Sequence, residues 1–155
     1  VPAFAETTAP TEADAVFTDY VFSTGERLPE LKIHYTTLGA PKRDASGNIS
    51  NAIMILHGTG GTGHQFFQPQ FAGELFGPGQ VLDTSKYFII MPDNVGHGKS
   101  SKPSDGLRMA FPKYDYSDMI DMKPARSVLS DAQLCDVIQH RHAGMAFEKT
   151  VKRAH

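Results

Sequence analysis

Two glycine-rich stretches hold the residues whose types and spacing could do chemistry. One is His57-Gly58-Thr59-Gly60-Gly61-Thr62-Gly63, the other Asp93-Asn94-Val95-Gly96-His97-Gly98-Lys99-Ser100-Ser101. Each follows an apolar, β-forming run, Ile53-Met54-Ile55-Leu56 in the first case and Phe88-Ile89-Ile90-Met91 in the second. Three chemistries compete for such loops. The first is phosphate binding, since Gly98-Lys99-Ser100 spells the end of a nucleoside-triphosphate loop. That motif needs a glycine five positions before Gly98, and the residue there is Asp93. A carboxylate would face the phosphates it should cradle, and only glycine lets the backbone turn so tightly. A helix should also start at Lys99 to meet the anion with its dipole. Pro103 and Gly106 follow instead, so this reading is excluded.

The second chemistry is dinucleotide binding. Gly58, Gly60 and Gly63 match G-x-G-x-x-G behind a strand, and Asp93 ends the next strand, where an acid could hold a ribose hydroxyl. Two features count against it. Asp93 lies about thirty residues past the last glycine rather than the usual ~20. Pro69 and the aromatics Phe66, Phe67 and Phe71 occupy the stretch where a long helix should run. Dinucleotide binding stays as an alternative. The third chemistry is acyl transfer. A buried strand ending in His57-Gly58 and then small residues can supply a backbone N–H to an oxyanion hole, because a main-chain amide cannot rotate away from the developing charge. Thr59 or Gly60 would carry that amide. The plain alternative is a glycine turn required by chain geometry alone.

Such chemistry also needs a nucleophile, and no serine stands in a G-x-S-x-G elbow. The nearest is Ser104 in Lys102-Pro103-Ser104-Asp105-Gly106, with no strand before it. Cys135 falls on an expected helix and has no flanking glycines. His140 and His142, two residues apart, would point to different sides of a helix and share no metal.

The elements that must position these loops are legible in outline. Residues 16–22 and 30–39 read as two strands of a hairpin joined through 23–29. Residues 51–58 and 86–93 read as strands buried on both faces. The roughly thirty residues between them, glycines first and a short helix around 68–76, have the length of a right-handed crossover, so parallel pairing is expected. Residues 96–112 are loop, a helix starts near 114–120, and Ser130 with Gln133 offers a cap for a helix over 131–142. The fold class is therefore α/β, with an antiparallel leading hairpin and then parallel buried strands.

Composition narrows the setting. The 155 residues suit one core; 40% are apolar and 21% charged, as in ordinary globular chains. The net charge of -2 provides no field to recruit nucleic acid or an acidic membrane surface. No apolar run approaches the ~18 residues of a membrane span. A single cysteine excludes an internal disulfide and a cysteine zinc cage. Ala3-Phe4-Ala5 has the form of a signal-peptidase site, which points to an exported or periplasmic protein. Residues 6–15 are rich in Thr, Ala, Pro, Glu and Asp and read as a disordered leader.

The hairpin, the stretch Leu56-His57-Gly58-Thr59-Gly60-Gly61-Thr62-Gly63 and the longer run from Ile89 through Gly96-His97-Gly98-Lys99-Ser100 to Met119 resemble the α/β-hydrolase superfamily, more narrowly its homoserine O-acetyltransferase-like branch. The resemblance covers about residues 16–120. It implies that Thr59 and Gly60 belong to an oxyanion loop and that His57, Gly58, Gly61, Asp93, Gly96, His97 and Gly98 shape an active-site rim. It implies no metal or nucleotide cofactor, and a small-molecule acyl ester or acyl-CoA as the partner of a full-length parent. Three segments are expected: a signal remnant and leader over 1–15, the N-terminal half of a hydrolase domain over 16–120, and a divergent helical tail over 121–155. A truncation, a frameshift or a splice variant would each give that pattern. The expectation is an acyl-ester hydrolase or O-acyltransferase fragment that is silent alone, with self-association through an exposed sheet edge. A non-catalytic binding module of the same fold is the other alternative.

Overall fold

The computed structural model describes residues 9–121. Ala3-Phe4-Ala5, Cys135, His140, His142 and the helix expected over 131–142 lie outside the described residues.

β1 (Thr11–Val21) and β2 (Arg27–Leu38) form the antiparallel hairpin. The register pairs Ala15 with Ile33 and Phe17 with Leu31, which collects the apolar side chains on one face. Glu12, Asp14, Lys32 and His34 alternate onto the other. Gly25 closes the turn by donating to the Phe22 carbonyl at 2.8 Å. β1 starts at Thr11, inside the segment expected to be leader, and this corrects the boundary at residue 15. Its first residues look like a polar tail by composition, yet Ala15 is buried and Asp14 reaches His34 across the strands. Alternation against β2 decides the matter, not local polarity.

β4 (Phe88–Pro92) is buried at all five positions, as its apolar run requires. It pairs antiparallel with β2, Leu38 opposite Ile89, and parallel with β3 (Ala52–Met54), Ile53 opposite Ile89. The sheet order is β1-β2-β4-β3. The expectation for β3 needs correction. It is short and only half-buried, because among the described residues it has β4 on one side and no strand on the other. Its pairing extends one residue through the Ile55 amide, which donates to the Ile90 carbonyl at 2.9 Å.

The crossover from β3 to β4 holds a 3-10 turn (Gly63–Phe67) and the short α1 (Pro69–Leu75). Proline at the first position of α1 gives up an amide that the helix start would leave unpaired anyway. This segment packs Phe66 and Phe76 with Leu38, Ile89 and Met91. The opposite cluster joins Ala15, Leu31 and Ile33 to Phe22, Val95 and Phe111. α2 (Tyr116–Asp121) returns to the hairpin, where buried Asp118 accepts from the Ser23 amide at 2.7 Å and the Ser23 hydroxyl at 2.8 Å.

Buried Asp83 organises the turn before β4. It accepts from the Ser85 hydroxyl (2.6 Å), the Gly79 amide (2.8 Å) and the Ser85 amide (2.9 Å). These bonds, the Ser85 hydroxyl first, hold its carboxyl at about 2, below the ordinary 3.8. A carboxylate depressed in the folded state stabilises above its unfolded value, and that contribution disappears as pH falls through the folded value. Asp83→Asn should therefore lower the urea midpoint at neutral pH, and the gap to wild type should close as pH falls from about 4 toward 2. A gap that stays constant over that range would show that the charge of Asp83 is irrelevant.

Candidate functional site

Because β3 and β4 run parallel, the two glycine loops leave the same edge of the sheet, where ligands of open α/β sheets bind. The first loop is a tight turn. The Gly61 amide donates to the Gly58 carbonyl at 3.1 Å, and Gly60, third in the turn, has φ +80°. That is the position at which a type II turn requires glycine. Gly58, Thr59 and Gly60 are exposed. Among the described residues the exposed Thr59 has no acceptor for its amide.

Each loop holds the other through a histidine. Buried His57 accepts the Asn94 amide at Nε2 (3.0 Å), and its Nδ1 sits 2.8 Å from the Gly58 carbonyl. A main-chain N–H can only donate, so Nε2 is bare and Nδ1 carries the proton. His97 answers from the second loop: its Nε2 accepts the Gly60 amide at 3.4 Å, and its Nδ1 faces the Val95 carbonyl at 3.2 Å. The two rings are 5.2 Å apart.

Asp93 is the third tie. Only 5% exposed, it accepts from the Gly63 amide at 2.7 Å and from the Lys99 amide at 2.8 Å. Both carboxylate oxygens are thus spent on backbone. Gly98 lies against this carboxylate, and a Cβ there would overlap it. Below, Ser100 is fully buried. Its hydroxyl accepts from the His34 amide at 2.9 Å and donates to the Asp93 carbonyl at 2.7 Å. The Ser101 amide adds a bond to the Lys32 carbonyl at 2.8 Å, which sews the loop onto β2.

The structure brings together the nine residues assigned to the oxyanion loop and the rim, in two layers. Gly58, Thr59, Gly60 and Gly98 are exposed and Gly61, Gly96 and His97 half-exposed, while His57 and Asp93 lie beneath as braces. This geometry removes the support for a dinucleotide site. The acid meant for a ribose is buried and occupied, and a 3-10 turn stands where a long helix should begin. Sequence reasoning assigned no role to Ser100, whose Gly-Lys-Ser context pointed to phosphate. It also passed over the His34–Asp14 contact of 2.7 Å, which was readable only with β1 extended to Thr11.

An open cleft beside Asp93 is lined on its far side by Glu12, His34 and Thr36 and includes none of residues 57–61. There Lys99 bonds Glu12 at 2.6 Å, which lowers the glutamate carboxyl and raises the lysine. Both side chains are largely exposed, so the pair contributes little to stability.

No protein-family model matches the chain. A probable acyltransferase of Methanothermobacter thermautotrophicus is 29% identical over 106 residues, covering 68% of this chain and 32% of that protein. A homoserine O-acetyltransferase of Methanohalophilus mahii is 32% identical over 113 residues, covering 64% and 23%. Among solved structures, an acetylester hydrolase from Corynebacterium glutamicum superposes with a TM-score of 0.62 at 26% identity, covering 76% of this chain and 33% of that one. For the homoserine O-acetyltransferase of Bacillus anthracis the TM-score is 0.57 at 23% identity, with 86% and 37% covered, a likeness of fold. The chain spans about a third or less of the curated relatives it matches. The fold is that of the α/β-hydrolases, and the sequence is similar to homoserine O-acetyltransferases over part of their length.

Proposed function

We propose that this chain is the oxyanion-loop portion of a serine-type acyl-ester hydrolase or O-acyltransferase, and that the 155 residues alone are catalytically silent. The observation that carries the reading is the exposed turn at the end of β3, with a Thr59 amide that has no acceptor among the described residues. A fixed main-chain donor at the carboxyl edge of a parallel pair is what a tetrahedral acyl intermediate needs, since charge develops on its oxygen. The carbonyl carbon must be attacked by a group this sequence does not supply, because it has no G-x-S-x-G. The substrate class is a small acyl ester or acyl-CoA.

Thr59→Pro offers a clean test. Thr59 is the second residue of the turn, where proline is favoured, so the substitution deletes one amide hydrogen and keeps the turn. In a chimera where residues 9–121 replace the matching segment of the Corynebacterium glutamicum acetylester hydrolase, Thr59→Pro should lower kcat on p-nitrophenyl acetate about 10²- to 10³-fold, the effect of losing one oxyanion donor. Thr59→Ala should leave it near the parent value. Equal turnover by the Pro and Ala variants would reject the oxyanion role. Ester turnover by the pure 155-residue chain, abolished by changing one of its own residues, would reject the silence.

A further inference from the structure

We propose that His97 is a positioning residue that anchors the Gly60 amide, which leaves the Thr59 amide as the donor the turn presents. This deepens the acyl-transfer reading and rests on it for its catalytic meaning, while the anchoring itself rests on geometry alone. Thr59 and Gly60 are neighbours in one exposed turn, and their amides have different fates. The Gly60 N–H is directed to His97 Nε2 at 3.4 Å, whereas Thr59 has no acceptor among the described residues.

The chemistry of the imidazole fixes the sense of the contact. A backbone N–H cannot accept, so Nε2 must be the bare nitrogen. The ring proton then lies on Nδ1, toward the Val95 carbonyl at 3.2 Å, and that bond holds the ring in place. His57 makes the mirror arrangement, Nε2 accepting the Asn94 amide and Nδ1 facing the Gly58 carbonyl. The pair forms a reciprocal brace: the first loop's histidine caps an amide of the second, and the second loop's histidine caps an amide of the first. At 3.4 Å the Gly60 bond is long for a hydrogen bond, so it sets the turn's orientation more than it adds stability. Orientation is what an oxyanion donor requires, as a displacement near 1 Å can cost about a hundredfold in rate.

The test has a structural arm and a catalytic arm. In the 155-residue chain, long-range proton–nitrogen spectra should show His97 as the Nδ1–H tautomer, and the Gly60 amide should exchange with solvent more slowly than that of Thr59. His97→Leu should speed Gly60 exchange about two- to threefold, the lower end of what one hydrogen bond is worth. His97→Gln, whose side-chain oxygen reaches the place of Nε2, should restore the slow exchange. The amides of Ile89 and Met91 report in the same spectra whether the sheet is intact. If His97→Leu unfolds the chain, the wild-type tautomer and the wild-type exchange order decide. An Nε2–H tautomer, or Gly60 exchange as fast as that of Thr59, overturns the proposal. In the chimera, His97→Leu should lower kcat with KM unchanged and His97→Gln should recover it. The slow Gly60 exchange together with turnover indifferent to Thr59→Pro would sustain the anchor and sink the oxyanion reading. The reverse pair of results would do the opposite.

Discussion

Asp93→Ala should destabilise the chain by about 3 kcal/mol, with the loss centred on the two glycine loops. The carboxylate is buried and gives one oxygen to the Gly63 amide and the other to the Lys99 amide. Hydrogen bonds to a charged acceptor contribute about 1.5–3 kcal/mol each. The two losses are unequal. Gly63 is buried, so its amide would have no replacement partner, whereas Lys99 is exposed and water can take over. The total therefore falls near the lower half of the summed range. For a chain of this size that is a large share of the whole, since domains are stable by about 5–15 kcal/mol. Asp93→Asn keeps one acceptor but turns an NH2 toward the other amide, so its cost should be intermediate. Urea unfolding followed by far-UV circular dichroism measures the order wild type, Asn, Ala. An Ala variant within 1 kcal/mol of wild type, a threshold at the scale of one ordinary bond, would show that the loops are held by other contacts.

The frame of the molecule was readable because its signals are periodic. Alternation in residues 16–22 and 30–39 gave the hairpin, and the unbroken run Phe88-Ile89-Ile90-Met91 gave the buried central strand. The crossover length gave parallel pairing. What was missed depends on partners far away in sequence. Thr11 to Ala15 look like a tail until β2 is laid beside them, because one small residue on the inner face is a weak signal. β3 is as apolar as β4, yet only half-buried, since burial depends on what flanks a strand and not on its own composition. The site shows the same division. Its loops were found from glycine, histidine and their place after strands. The division of labour within them was not. Sequence cannot say that Asp93 faces two amides, that Ser100 ties β2 to the Asp93 carbonyl just past β4, or that His57 and His97 cross between the loops. Most of those contacts join segments thirty or more residues apart, brought together by the sheet order. The matched stretch is about a third or less of the relatives' length, and no serine of these 155 residues stands in a G-x-S-x-G elbow.

Alanine substituted along the first loop should produce a graded series, with Gly63→Ala the severest. A Cβ at Gly63 would lie 2.5 Å from the Met91 carbonyl oxygen and 3.1 Å from its carbon. Met91 is fully buried and sits in β4, between β2 and β3, so its backbone cannot give way without breaking sheet pairing on either side. The 3-10 turn must move instead, and its movement stretches the Gly63 bond to Asp93. Overpacking alone costs about 1–3 kcal/mol, and the damaged charge-assisted bond adds about 1.5 or more. The sum, about 3 kcal/mol or more, matches the loss of Asp93 itself, because both changes sever the same tie. Gly60→Ala meets no atom within 4 Å, yet its φ of +80° carries a left-handed penalty of about 1–2 kcal/mol. Gly58→Ala has open space and no such backbone, and should fall within about 0.5 kcal/mol of wild type. Combining Gly63→Ala with Asp93→Ala provides the sharper check. If the glycine serves mainly to let the turn reach the carboxylate, the double variant should cost clearly less than the two single losses added together. Full additivity would mean that the Met91 contact and the Asp93 bond act independently, and that the loops are not joined through this one approach.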